Sequence, residues 1–188
     1  DNAIYQLAAG LQKFSAYEFP VQSTEQTRAS FRFTGKQIGG EMGDAMQRFA
    51  DNPNDAKAIA IISADPEYVG TLRTTCVATM LSGGHAENAL PQLASANINC
   101  RIFPGVSVDS VRAKIAEIIA DPHAKVTQSG VAFASDASPM RDDVMMAVRK
   151  AVDANFAGLP VIPSMSSGAT DSLYFRAQGI PSYGVSGA

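Results

Sequence analysis

Apolar residues first recur at helical spacing, in NAIYQLAAGLQKF, where Ile4, Leu7, Ala8, Leu11 and Phe14 share one face. The spacing predicts a helix closed off before Pro20. From Ser23 to about Pro66 the periodicity blurs. Gly35, Gly39, Gly40 and Gly43 interrupt a helical alternation that carries Phe31, Met42, Met46 and Phe49. This stretch reads as a helical insertion over about 23–66. From Gly70 the period drops to two. In TLRTTCVATMLSGG one face holds Leu72, Thr74, Cys76, Ala78 and Met80, and the other holds Arg73, Thr75, Val77, Thr79 and Leu81. Gly83-Gly84 turns the chain into a second strand running to about Phe103. There Ile98, Cys100 and Ile102 face inward, while Asn97, Asn99, Arg101 and Phe103 face outward. Ser107 is a fitting N-cap for VDSVRAKIAEIIAD, with Val111, Ile115, Ile118 and Ile119 as its apolar stripe. Asp121-Pro122 closes that helix, and AKVTQSGVAF reads as a further strand.

The order over 1–134 is thus helix, insertion, two long strands, helix, strand. Helices packed on one face of an antiparallel sheet make an α+β, ferredoxin-like layout. One more strand ahead of residue 1 would complete a β-α-β-β-α-β order. After Ser135 the grammar changes. Ser138-Pro139 reads as an N-cap and N1 proline, ahead of a helix with Val144, Val148, Val152 and Phe156 on one stripe. Gly158 and Pro160 end it. A short strand at VIP, the loop SMSSGATDS, a short helix SLYFRAQ and a strand IPSYGVS follow. This is α/β grammar with two strands expected to run parallel. Residues 135–188 therefore read as the back part of a larger α/β domain.

Composition narrows the function classes. The 188 residues are 46% hydrophobic and 18% charged, with a net charge of −3 and no cluster of basic residues. Nothing supports electrostatic binding to phosphate backbones. The longest apolar stretch, near AIAII at 58–62, is too short to span a bilayer, so the chain reads as soluble. No signal peptide is read, and the chain opens inside a helical pattern, so sequence upstream of Asp1 is expected.

Cys76 and Cys100 fall on adjacent antiparallel strands, both on the apolar face. They read as a pair of buried thiols, with a cross-strand disulfide as the alternative. His85 in the Gly-Gly loop and His123 after Pro122 have no Cys, His, Asp or Glu at ligand spacing on a shared face. Both read as solvated loop residues, and no metal site is expected in this chain.

Three stretches carry a resemblance. DNAIYQLAAGL, GGHAENALPQLASANINCRIFPG and SSGATDSLYFRAQGIPSYGV, in that order and spacing, resemble the di-zinc exopeptidases. That superfamily includes aminoacylase, carboxypeptidase G, carboxypeptidase S and succinyl-diaminopimelate desuccinylase. The insertion together with GATDSLYFRAQGIPSYG is most similar to the carboxypeptidase S-like branch. The resemblance implies a catalytic α/β domain with two zincs and an inserted ferredoxin-like lid that mediates a homodimer. On it, 1–134 would be most of the lid and 135–188 part of the catalytic domain. The implied activity is hydrolysis of an amide beside a free carboxylate, in a dipeptide or N-acyl amino acid. A zinc-bound water activated by a Glu would attack the carbonyl. None of the family's metal ligands, nor its catalytic Glu or lid His, has a matching position here. The chain alone is therefore expected to bind no zinc and to be inactive.

Two family positions do match. The Asn of an N-x-x-P loop corresponds to Asn88, and the Arg thirteen residues on corresponds to Arg101. The resemblance implies that both bind the substrate, chiefly its carboxylate and neighbouring carbonyl. The chemistry agrees: a planar guanidinium grips a carboxylate with two parallel bonds, and a carboxamide donates without adding charge. Thirteen residues of extended chain span up to about 40 Å, so the pair is expected to serve one ligand from two subunits. Gly168 and Thr170, in the loop ahead of SLYFRAQ, are further expected substrate contacts, and Asp171 is expected to cap that helix. The alternative reading is a non-catalytic, ferredoxin-like dimerisation or small-ligand-binding module.

Overall fold

In this computed structural model the described residues are 2–186. They run α1 (Ala3–Ser15), α2 (Glu25–Ile38), α3 (Gly40–Asp51), α4 (Ala56–Ser63), a 3-10 turn at Val69–Thr71, β1 (Thr75–Gly83), β2 (Ala94–Arg101), α5 (Val108–Ile119), α6 (Asp142–Asn155) and α7 (Ser172–Ala177). The architecture is α+β, with one antiparallel strand pair among the described residues. Two compact units are present. The first is the segment through Pro20 with Thr74–Ala134; the second is Val21–Arg73 with the segment from Ser135.

In the first unit, the Asn2 side chain accepts from the Ile4 and Tyr5 N–H groups and starts α1. Ser107 does the same for α5, accepting from Ser110 N at 3.0 Å. Phe14, Val111 and Ile115 form the buried centre, with Cys76, Ile98, Cys100 and Ile102 packed against it from the strands. The helices approach closely where Gly10 leaves room for Ile119, whose Cγ2 would stand 3.2 Å from a Cβ at that glycine. Lys13 Nζ then donates to the Ile119 carbonyl at 2.9 Å, answering the exposed C-terminus of α5.

The strand pair departs from the expected alternation in one place. Ala78 pairs with Ile98 but Met80 pairs with Asn97, so Thr79 is an extra residue in β1. Residues directly opposite share a face, and an inserted residue swaps the faces beyond it. Met80 therefore joins Val77 on the face of Asn97 and Asn99, while Leu81 moves to the face of Ala96. Gly83, on that same face, packs on Ile4 of α1, 3.0 Å from where a Cβ would stand. Two further residues differ from expectation. Phe103 lies past the end of β2 and is 4% exposed, its N–H donating to Thr74 Oγ1 at 3.0 Å. Arg73 precedes β1 and is buried, donating to Ser63 Oγ at 3.0 Å.

The cysteines form a disulfide rather than two thiols. Cys76 and Cys100 are direct register partners with Cα atoms 4.1 Å apart. The same two-residue period that places both on the apolar face thus also brings their side chains together.

The second unit is helical at its centre. Phe31, Met46, Phe49, Ala50, Ala58, Ile62 and Leu72 form its core, with the Phe31 and Phe49 rings edge to face at 5.3 Å. Gly39 and Gly40 sit at φ 61 and 64 and make the corner between α2 and α3. Arg28 Nε and Arg32 Nη2 both donate to the Ala50 carbonyl, so α2 caps the C-terminal end of α3.

The strands expected at AKVTQSGVAF, VIP and IPSYGVS do not form. An extended run is a strand only when a neighbour completes its ladder, and these runs have none among the described residues. Gly130, at φ 73, also breaks the first of them. The helix expected from Ser138-Pro139 begins later, at Asp142, with Arg141 in the cap position. Ser138 instead accepts from Ser182 N and donates to Ser182 O, both at 2.9 Å.

Candidate functional site

Arg101 closes β2, opposite Thr75, and is exposed. Its neighbour Cys100 packs on the helices, so Arg101 stands on the other face of the strand pair with Asn97 and Asn99. Asn88 lies in the connection between the strands, in a turn, and is exposed. That connection is anchored at its far side, where Pro91 is buried and its carbonyl accepts from Ala3 N at 3.2 Å. The connection leaves β1 at Gly83, which pairs with Ala94, whereas Arg101 pairs with Thr75. The two residues therefore occupy opposite ends of the strand pair. The seven steps from Ala94 to Arg101 alone cover about 23 Å. One chain does not bring Asn88 and Arg101 together.

Gly168 and Thr170 belong to the second unit. Gly168 N donates to Ser166 Oγ at 3.1 Å, and the Thr170 carbonyl accepts from Leu173 N at 3.1 Å. Asp171 holds the cap position of α7, but its side chain makes no capping bond, contrary to its expected role. Helical φ and ψ at Asp171 (−61 and −17) turn the residue into the helix, whereas a capping side chain needs extended backbone. The loop ahead packs on Gly70, where a Cβ would meet Ser167 Cβ at 3.0 Å. Beside it opens a hollow of about 300 Å³ lined by Phe31, Thr34, Tyr68, Met165, Ser166 and Ser167. Burial raises the Tyr68 phenol above its ordinary pKa, helped by Glu67 and Asp65. Periodicity carries no signal for this hollow, because it depends on a distant loop meeting the 3-10 turn.

Among the described residues no three His, Cys, Asp or Glu side chains are grouped to hold a metal. The two cysteines are spent on each other, and His85 and His123 are exposed in separate loops. The donor set does not fit a zinc pair.

Residues 1–127 match the family model described as the peptidase dimerisation domain of the M20 peptidases. The chain belongs to the M20 peptidases. Within this metallopeptidase superfamily it is 27% identical over 119 residues to the N-fatty-acyl-amino acid synthase/hydrolase of Xenopus tropicalis, covering 61% of this chain and 23% of that protein. It is 23% identical over 116 residues to the probable carboxypeptidase S-like 2 of Dictyostelium discoideum, covering 61% of this chain and 22% of that protein. A shorter stretch of 61 residues is 38% identical to the mouse N-fatty-acyl-amino acid synthase/hydrolase, 32% of this chain and 12% of that protein. The matched stretch spans less than a quarter of the length of these M20 relatives. No solved structure matches the chain.

Proposed function

We propose that this chain is the dimerisation and substrate-recognition part of a zinc-dependent M20 hydrolase. The parent cleaves an amide beside a free carboxylate, in a dipeptide or an N-acyl amino acid. Residues 1–134 serve as a ferredoxin-like lid and 135–188 as part of the catalytic domain. Arg101 binds the substrate carboxylate, Asn88 binds the neighbouring carbonyl, and Gly168 and Thr170 are further substrate contacts. The observation that carries the reading is the exposed guanidinium at the end of β2 on the face away from the helices. The family membership supports the reaction class. Two zincs per subunit are the family expectation, but the described donors do not fit them, so no step through metal is assigned to this chain. Its own residues bind and orient.

The opposite-end placement of Asn88 and Arg101 favours a homodimer in which one subunit supplies the Asn and its partner the Arg. Mixing full-length Asn88→Ala and Arg101→Ala variants tests this. Each alone should lose activity. Random pairing should restore about a quarter of wild-type turnover, since half the dimers are mixed and each has one intact site. A mixture as inactive as its parts rejects cross-subunit supply. A full-length parent that hydrolyses no such amide leaves the non-catalytic module as the reading.

A further inference from the structure

We infer that Asn99 is a second substrate contact, its carboxamide meeting the amide of the ligand whose carboxylate Arg101 grips. This rests on the reading of Arg101 given above.

The exposed face of β2 carries Ser95, Asn97, Asn99 and Arg101 in a row. Asn is disfavoured in strands, and two of them in an eight-residue strand ask for a reason. Asn97 has one: its Nδ2 donates to the hydroxyl of the bulged Thr79 at 2.8 Å, tying down the extra residue. Asn99 has none of that kind. It is exposed, sits opposite Val77, and its carboxamide makes no hydrogen bond among the described residues. No acidic residue occurs in either strand.

The spacing suits a small acylated amino acid. Asn99 and Arg101 project from the same face about 6.6 Å apart along β2. A carboxylate and its acyl amide lie one residue apart, about 3.3 Å in an extended chain, and both side chains can close that gap. A carboxamide both donates to a carbonyl and accepts from an N–H, so it meets either polar group of an amide. It does so without a charge that would compete with the guanidinium. Thr75, opposite Arg101, adds a hydroxyl at the same end.

The test uses the full-length parent with N-acetylglycine and N-lauroylglycine, measuring kcat and KM separately. Asn99→Leu should raise KM about tenfold, the value of one lost hydrogen bond, with kcat within twofold and the melting temperature unchanged. Asn99→Asp should raise KM further, because it sets a like charge beside the substrate carboxylate. Arg101→Ala is the reference for the underlying reading and should lower kcat/KM more than either. If Arg101→Ala has that effect while Asn99→Leu leaves KM alone, the role of Asn99 is refuted and that of Arg101 stands. A joint fall in kcat and melting temperature for Asn99→Leu would mark a structural residue and equally refute it. An Arg101→Ala enzyme as active as wild type removes both.

Discussion

Gly35 on α2 and Gly43 on α3 meet backbone to backbone: a Cβ added to Gly35 would stand 2.6 Å from the Gly43 carbonyl oxygen, and one on Gly43 would come closer still to the Gly35 oxygen. Neither position has a positive φ. What both glycines supply is absence of volume, which lets Phe31, Met46 and Phe49 close over one another.

That contact predicts the sign of a substitution. In an open helix Gly→Ala gains about 1 kcal/mol of propensity. Here Gly35→Ala must push a backbone aside, and overpacking of this kind costs roughly 1–3 kcal/mol. Gly35→Ala and Gly43→Ala should each lower stability in urea unfolding. A stabilised variant would show that the helices are not in contact there.

The disulfide makes a second prediction. Cys76 and Cys100 are separated by 24 positions, and closing a loop of that size stabilises by about 3.5 kcal/mol in the chain-entropy treatment. Protein purified without reductant should contain no titratable thiol. The Cys76→Ala/Cys100→Ala double variant should unfold at lower urea, and reductant should shift the wild type but not that variant. Two reactive thiols in the untreated native protein would contradict the bond.

What the sequence revealed and what it hid follow from how each element is packed. Helices α1 and α5 bury one stripe each, so Phe14, Val111 and Ile115 stood out by spacing. The outward side of Arg101 was readable because Ile98 and Cys100 alternate with it. The bulge at Thr79 was not, because Met80 and Leu81 are both apolar and exchanging their faces leaves the pattern unchanged. The glycines of the insertion read as breaks, when two of them are contacts; periodicity does not distinguish a glycine that bends a helix from one that admits a neighbour. Extended runs such as AKVTQSGVAF have strand composition, but a ladder needs a partner that composition does not supply. At the candidate site, Asn97 and Asn99 look alike in sequence, and only the bulge separates their roles.

A third prediction concerns acid. Asp55 caps α4, accepting from Ala58 N at 2.9 Å, and lies 3.3 Å from Arg48 Nε. The bond from the Ala58 N–H, and secondarily the Arg48 charge, hold its carboxyl below the ordinary carboxylate pKa. A carboxyl depressed on folding contributes stability that is present above its unfolded pKa, near 3.9, and lost as pH falls through the folded value. Asp55→Ala should therefore melt below wild type at neutral pH, and the gap should close as pH falls below about 4. A gap independent of pH would assign the loss to something other than the charged cap.

The last prediction separates the two strand asparagines by stability alone. Asn97 bonds the bulged Thr79 across the strand pair, and Thr79 Oγ1 lies 3.4 Å from the Asn97 carbonyl oxygen. An exposed hydrogen bond of this kind contributes about 1 kcal/mol, and here it also holds the residue that sets the faces of Met80 and Leu81. Asn97→Ala should cost about that much and speed amide hydrogen exchange at Thr79 and Met80, while Asn99→Ala should leave stability within about 0.5 kcal/mol of wild type. Were the two equally destabilising, Asn99 would have a structural partner and the distinction between a residue that locks the bulge and one that faces a ligand would be lost.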